Sequence, residues 1–276
     1  MTAFYLAVEK ENIEIIKLLL TNDKLDINLF NTYNRHGEKQ TALHLAIIKE
    51  NIEIVKLLLA NDKLDINRGF RFAIEEETIE TPLYMAIEKG NIEIVKLLLM
   101  NDKLDVNYVY YFSVFGKTAL YIAITKRNIE IIKLLLMNHK LDINLLNYIG
   151  TNIMNGEETA LHLAVRKENI EIIKLLLMND KLNANILSLY FAIENENVEI
   201  VKLLLLNDKL DINVINIIGN FDDKTTALHL AMHINNSEIG KLLLEKKDID
   251  INIEDFQGKK PIDYAKNDEI KQLLSK

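Results

Sequence analysis

The chain has 276 residues, 49% of them hydrophobic, a formal net charge of −8 and a pI near 5.4, with no cysteine. An acidic chain lacks the basic surface that releases counterions from a phosphate backbone, so a nucleic-acid partner is excluded. Without cysteine there is neither a disulfide framework nor a thiolate site, and the Glu and Lys inside every apolar stretch exclude a membrane span or a signal segment. The expectation is a soluble, cytoplasmic protein without membrane insertion.

Along the chain, one pattern opens at Thr2 and returns at Thr41, Thr81, Thr118, Thr159, Leu187 and Thr226, each time with a closing Asn 26 positions later. Each copy predicts two short helices. In the second copy Leu43, Ala46 and Ile47 stand at helical spacing, Asn51 interrupts, and Ile52, Ile54, Val55, Leu58 and Leu59 start a second apolar stripe. Asn51 is an expected N-cap, Glu53 sits where the helix dipole favours an anion, and Lys56 lies three residues on, within its reach. Small Ala at the sixth position (Ala7, Ala46, Ala86, Ala123, Ala164, Ala192, Ala231) lets neighbouring first helices approach, and the Leu triplets fill the space between layers. Self-similarity at this period means stacked units that cannot bury their apolar faces alone.

The Thr-Ala/Pro-Leu-His/Tyr-x-Ala opening, the Asn-Ile-Glu-Ile-Val-Lys-Leu-Leu-Leu second helix and the Asp-Ile-Asn ending resemble ankyrin repeats over nearly the whole chain. The resemblance implies an all-α solenoid of about eight helix-turn-helix units. Their boundaries fall near 2–40, 41–80, 81–117, 118–158, 159–186, 187–225, 226–259 and 260–276, within a single domain. It further implies loops projecting as fingers, a concave face made by fingers and first helices, and structural hydrogen bonds from the fourth residue of each unit (Tyr5, His44, Tyr84, Tyr121, His162, Tyr190, His229). The turn Asn61-Asp62-Lys63-Leu64-Asp65 is one residue longer than the family's usual pattern.

The fingers vary most. From closing Asn to the next opening residue they take 13, 14, 11 and 15 residues after Asn28, Asn67, Asn107 and Asn144, and 13 and 8 after Asn213 and Asn252. They are rich in aromatics, including Tyr33, Phe70, Phe72, Tyr110, Phe112 and Tyr148, and the Tyr108 to Phe115 stretch has the character of a strand pair. These rings have two readings, as small cores of extended hairpins or as exposed anchors for a protein partner. At the eighth position of the units stand Ile48, Glu88, Thr125, Arg166, Glu194 and His233, which vary against a repeated scaffold and are expected to face that partner. The ninth position forms a lysine ladder (Lys10, Lys49, Lys89, Lys126, Lys167), read as a solvated face or as a complement to an acidic strip.

No catalytic residue, metal site or cofactor is expected. Gly116-Lys117-Thr118 ends like a phosphate-binding loop, but Tyr111 stands where its first Gly belongs. The histidines of the fourth position belong to different units and do not make the three or four converging ligands that zinc needs. The function expected is therefore non-catalytic protein binding, as an adaptor or scaffold; the alternative is the regulatory part of a larger enzyme or channel. The last unit, Lys260 to Lys276, carries polar residues suited to a cap, whereas the first keeps an internal apolar pattern. A longer N-terminus or self-association is expected to cover that first face. After Asn185 only Ile186 precedes the next unit, leaving no finger, which is either a deletion scar or a notch in the binding face.

Overall fold

The computed structural model describes residues 2–32, 39–71, 79–112, 115–148, 157–184, 186–215, 225–266 and 268–274, without the side chains of several strand residues, Phe70 and Phe112 among them. It divides into two compact units, Met1–Gly150 and Thr151–Lys276.

The first unit is four helix pairs with strands between them. The pairs are α1 (Ala3–Glu9) with α2 (Ile13–Leu20), α3 (Ala42–Ile48) with α4 (Ile52–Leu59), α5 (Pro82–Lys89) with α6 (Ile92–Leu99), and α7 (Ala119–Thr125) with α8 (Ile129–Met137). The finger strands are β1 (Asn31–Thr32), β2 (Lys39–Gln40), β3 (Phe70–Arg71), β4 (Ile79–Glu80), β5 (Tyr110–Phe112), β6 (Phe115–Lys117) and β7 (Asn147–Tyr148). Each finger is an antiparallel hairpin, as the β5–β6 register Tyr110↔Lys117, Tyr111↔Gly116 and Phe112↔Phe115 illustrates. Neighbouring fingers are joined as well, β2 to β3 at Lys39↔Arg71 and β6 to β7 at Gly116↔Tyr148.

The second unit opens on β8 (Glu157–Glu158), followed by α9 (Ala160–Arg166), α10 (Ile170–Leu177), α11 (Ile186–Glu194), α12 (Val198–Leu205), α13 (Ala227–Ile234) and α14 (Ser237–Leu244). Its last pair is reduced. A 3₁₀ turn at Pro261–Tyr264 takes the place of the first helix before α15 (Asp268–Leu274).

Helices of seven to nine residues are marginal alone, so caps and packing hold them. Every second helix from α2 to α14 begins with an Asn N-cap (Asn12, Asn51, Asn91, Asn128, Asn169, Asn197, Asn236) whose Oδ1 accepts a backbone N–H at 3.0–3.1 Å. The six-position alanines are all buried, as are Ile54, Val55, Leu58 and their internal counterparts. First helices pack in series within each unit, α1 on α3, α3 on α5 and α5 on α7 in one, α9 on α11 and α11 on α13 in the other.

The chain reverses between the two helices of a pair through a residue with positive φ: Glu11 (53°), Glu50 (54°), Gly90 (71°), Arg127 (56°), Glu168 (50°), Glu196 (52°) and Asn235 (64°). Four of these glutamates accept a hydrogen bond from the N-cap Asn of the following repeat, Glu11 from Asn51, Glu50 from Asn91, Glu168 from Asn197 and Glu196 from Asn236. The strained backbone is thereby coupled to stacking. The second-helix lysines depart from the sequence expectation at Lys56. It pairs with Glu93 of the next repeat at 3.3 Å, as Lys202 pairs with Glu238 at 2.9 Å, while Lys133 keeps the within-helix partner Glu130 at 2.9 Å. A Lys stem spans adjacent helices as readily as one turn of its own, so both geometries occur.

Candidate recognition surface

In four repeats the fourth residue joins the first helix to the end of its own finger. In His44 the ring Nδ1 accepts from the Thr41 backbone N–H at 3.3 Å and Nε2 lies 3.2 Å from the Glu80 carbonyl, so Nε2 carries the proton and donates. His229 repeats the arrangement with Thr226 and the Lys259 carbonyl at 3.0 Å. Where the position is Tyr, the hydroxyl serves: Gln40 donates to Tyr5, and Tyr190 donates to the Thr225 carbonyl. In all four cases the partner is the last residue before the next repeat. Burial holds the His44 imidazole down to about 4 and lowers that of His229, so both are neutral struts at neutral pH.

The finger aromatics divide. Tyr110 is 7% exposed and stacks on Tyr84 with ring centroids 4.0 Å apart and planes 29° apart. Burial raises the Tyr84 hydroxyl above the usual phenol range. Tyr110 is thus a packing ring, a correction to its assignment as an exposed anchor, because the inward face of a two-stranded hairpin needs a core of its own. Tyr148 is 38% exposed and Phe115, across the same hairpin set, 36%. Tyr33 and Phe72 lie outside the described residues, as do the side chains of Phe70 and Phe112.

The eighth-position residues end successive first helices and form one row per unit: Ile48, Glu88 and Thr125 in the first, Arg166, Glu194 and His233 in the second. Ile48 is half-buried and Thr125 exposed, its hydroxyl donating to the Tyr121 carbonyl at 2.9 Å. Glu88 is paired with Lys126 at 2.5 Å. Arg166 is held by Glu158, a buried carboxylate that it grips with Nε at 3.2 Å and Nη2 at 2.8 Å. Glu194 is exposed, yet desolvation by its surroundings raises its carboxyl above the ordinary value. His233 lies against Tyr264, ring centroids 5.9 Å apart. The lysine ladder is partly neutralised from within, Lys49 by Glu11 at 3.1 Å and Lys126 by Glu88.

Two features escaped the sequence reading. Met100 and Met137 in the first unit, and Met178 and Leu206 in the second, stand exposed where second helices end. Their recurrence at one repeat position was the available signal. Phe191 is half-buried although its counterparts Leu45, Met85, Ile122, Leu163 and Leu230 are buried. Among the described residues no group of His, Asp and Glu is placed to hold a metal ion, and no helix is long and apolar enough to cross a membrane.

The sequence matches the family described as ankyrin repeats (3 copies) at residues 1–70, 71–147, 145–216 and 189–276. No curated protein matches it. Among solved structures it is similar to the ankyrin repeat domain of Bcl-3, a member of the IkappaB protein family, with 22% identity over 86% of this chain and 99% of that one and a TM-score of 0.64. The human ASB11 ankyrin repeat domain is similar at 24% identity and a TM-score of 0.52, over 86% of this chain and 97% of that one. With family matches running from the first residue to the last and the same fold in both structures, the chain belongs to the ankyrin repeat family.

Proposed function

We propose that this chain is a non-catalytic cytoplasmic recognition module that holds a protein partner on the concave face formed by its first helices and fingers. Ankyrin repeats are in general protein–protein interaction modules, and the observation that carries the finer reading is the eighth-position row. It changes from Ile48 to Glu88 to Thr125, and from Arg166 to Glu194 to His233, while the caps and alanines around it recur unchanged. Residues that vary at one repeated place are the ones a partner can read, and exposed Phe115 and Tyr148 supply the rigid aromatics that anchor interfaces. A second copy of the chain is proposed to cover the first repeat, whose Leu6, Ile15 and Leu18 are 40%, 46% and 70% exposed.

The test is affinity capture from native lysate, followed by titration of the captured protein against variants. Tyr148→Ala and Phe115→Ala are expected to weaken it about tenfold or more with an unchanged melting curve. Leu58→Ala, at a fully buried site, is expected to cost about 2–5 kcal/mol of stability instead. A partner bound equally well by both ring variants and by charge reversal along the row sinks the reading.

A further inference from the structure

Arg68 is the first residue after the closing Asn67, at the base of the second finger. The other repeats that have a finger carry an apolar residue at that place: Leu29, Tyr108 and Leu145 in the first unit, Val214 and Ile253 in the second. The Arg68 guanidinium carbon stands 4.5 Å from the centre of the Phe30 ring, so the preceding repeat holds the charge by a cation–π contact. Its Nε is buried without a hydrogen-bond partner. Neither Nη has a partner, but both keep access to solvent, and the residue as a whole is half-buried.

Among the described residues no carboxylate lies within ion-pair distance of Arg68. Asp65, three residues earlier, takes the Arg68 backbone N–H on its carbonyl at 3.3 Å and turns its side chain to the Asn67 backbone N–H at 3.2 Å. Arg166 has what Arg68 lacks: its Nε and Nη2 both grip the buried carboxylate of Glu158. A guanidinium fixed on a ring, partly withdrawn from water and with a buried donor unmade, has lost solvation without gaining an acceptor. A carboxylate meeting the two Nη groups end-on supplies paired charge-assisted bonds, and the ring has already fixed the fork that receives it.

Equivalent places in stacked repeats form a row, so within the first unit Arg68 interrupts an apolar line running from Leu29, 45% exposed, to half-buried Tyr108 and Leu145. A phosphate is received by clusters of cations, whereas this cation stands alone in its row. Resting on the recognition reading above, we infer that Arg68 is a receptor for an aspartate or glutamate side chain on an extended partner segment whose apolar residues lie on Leu29 and Tyr108 to either side. Stacked repeats stand about 8–10 Å apart and an extended chain rises about 3.3 Å per residue. The apolar residues of the segment therefore stand about three positions before and after its acid.

The probe is a phage-displayed random decapeptide library, selected on the intact chain and counter-selected on Arg68→Leu, which places there the residue of the first and fourth repeats. Enriched peptides are expected to carry Asp or Glu with an apolar residue about three positions to each side. A synthetic peptide from the set is expected to lose about tenfold affinity on Arg68→Leu and about threefold on Arg68→Lys, which keeps the charge but not the fork. Replacing the peptide's carboxylate by its amide is expected to cost about tenfold on the parent chain and less than about twofold on Arg68→Leu, a coupling that a merely structural arginine does not produce. Arg68→Lys carries the same cycle should Arg68→Leu lower the melting temperature. A library that enriches no acidic position, or an amide substitution that costs the same on parent and variant, overturns the inference. A natural partner lost on Tyr148→Ala but retained by Arg68→Leu also overturns it, and leaves the recognition reading standing.

Discussion

His44 has a measurable signature because its ring is fully buried and neutral. An unfolded chain takes up the imidazole proton near pH 6.5, the folded chain only near about 4, so the unfolded state binds more protons between those values. Stability is therefore complete above about pH 6.5 and falls as the pH drops toward about 4, by roughly 3 kcal/mol for the shift at this one site. His44→Tyr places at this position the residue that Tyr5 and Tyr84 already are, and does not titrate there. Its melting temperature is expected to fall less than that of the parent between pH 7 and 4.5; equal falls would show that His44 is not the group responsible. Ser188 is the opposite case, a buried hydroxyl without a hydrogen-bond partner where other repeats have Ala42, Pro82, Ala119, Ala160 and Ala227. Ser188→Ala removes an unpaid desolvation and is expected to stabilise by about 1 kcal/mol, read as a higher urea midpoint at constant slope. A lower midpoint refutes the assignment. Gly240 departs from the Val or Ile of other second helices for a reason equally local: Met232 reaches into the space, its Cε 2.7 Å from where a Cβ would stand.

At the scale of elements, successive repeats are fastened along the turns. Three closing asparagines of the first unit donate through Nδ2 to a carbonyl of the next turn and accept through Oδ1 from its backbone: Asn28 with Lys63 and Asp65, Asn67 with Lys103 and Asp105, Asn107 with Lys140 and Asp142, all at 2.7–2.8 Å. The same turns send a lysine back, Lys63 to the Asp23 carbonyl, Lys103 to that of Asp62 and Lys140 to that of Asp102, at 2.6–2.7 Å. The lysine of the lengthened Asn-Asp-Lys-Leu-Asp turn is thus a tie between repeats, which no reading of a single repeat discloses. Asn107→Ala deletes two of these bonds at once and is expected to cost about 1–2 kcal/mol in urea unfolding, reduced from the buried value by solvent access. Asn107→Asp keeps the acceptor and loses only the donor, so its cost is expected to lie between. Indistinguishable midpoints for all three proteins would dismiss the clip as a stabilising element.

At the scale of the molecule, the first and last repeats of the sequence differ in what they expose. In the last repeat α15 buries Ile270 and Leu274 and leaves Asp268, Lys271 and Gln272 in water, as a cap does. In the first repeat Leu6 and Ile15 are exposed where their counterparts Leu45 and Ile54 are buried. Exposed apolar residues clustered on one face favour association, so sedimentation analysis is expected to show concentration-dependent dimers that Leu18→Lys abolishes without lowering the melting temperature. Dimers unaffected by Leu18→Lys, or a monomer at every concentration, reject self-association through this face.

The sequence by itself determined the repeat, the helix pairs, the Asn caps of the second helices, and the fingers as the place where length and aromatic content vary. These are legible because they rest on local spacing: an apolar period near 3.6, a cap beside its helix, a strand-like run between turns. Tertiary structure decided which rings face inward and which charges are spoken for. Tyr110 and Tyr148 look alike in sequence, but one meets Tyr84 and the other meets solvent. Glu88 and Glu194 occupy the same repeat position, but only one has a lysine opposite. In each pair the deciding neighbour lies more than twenty residues away along the chain, brought close by stacking and finger geometry, and spacing within a single repeat carries no record of it.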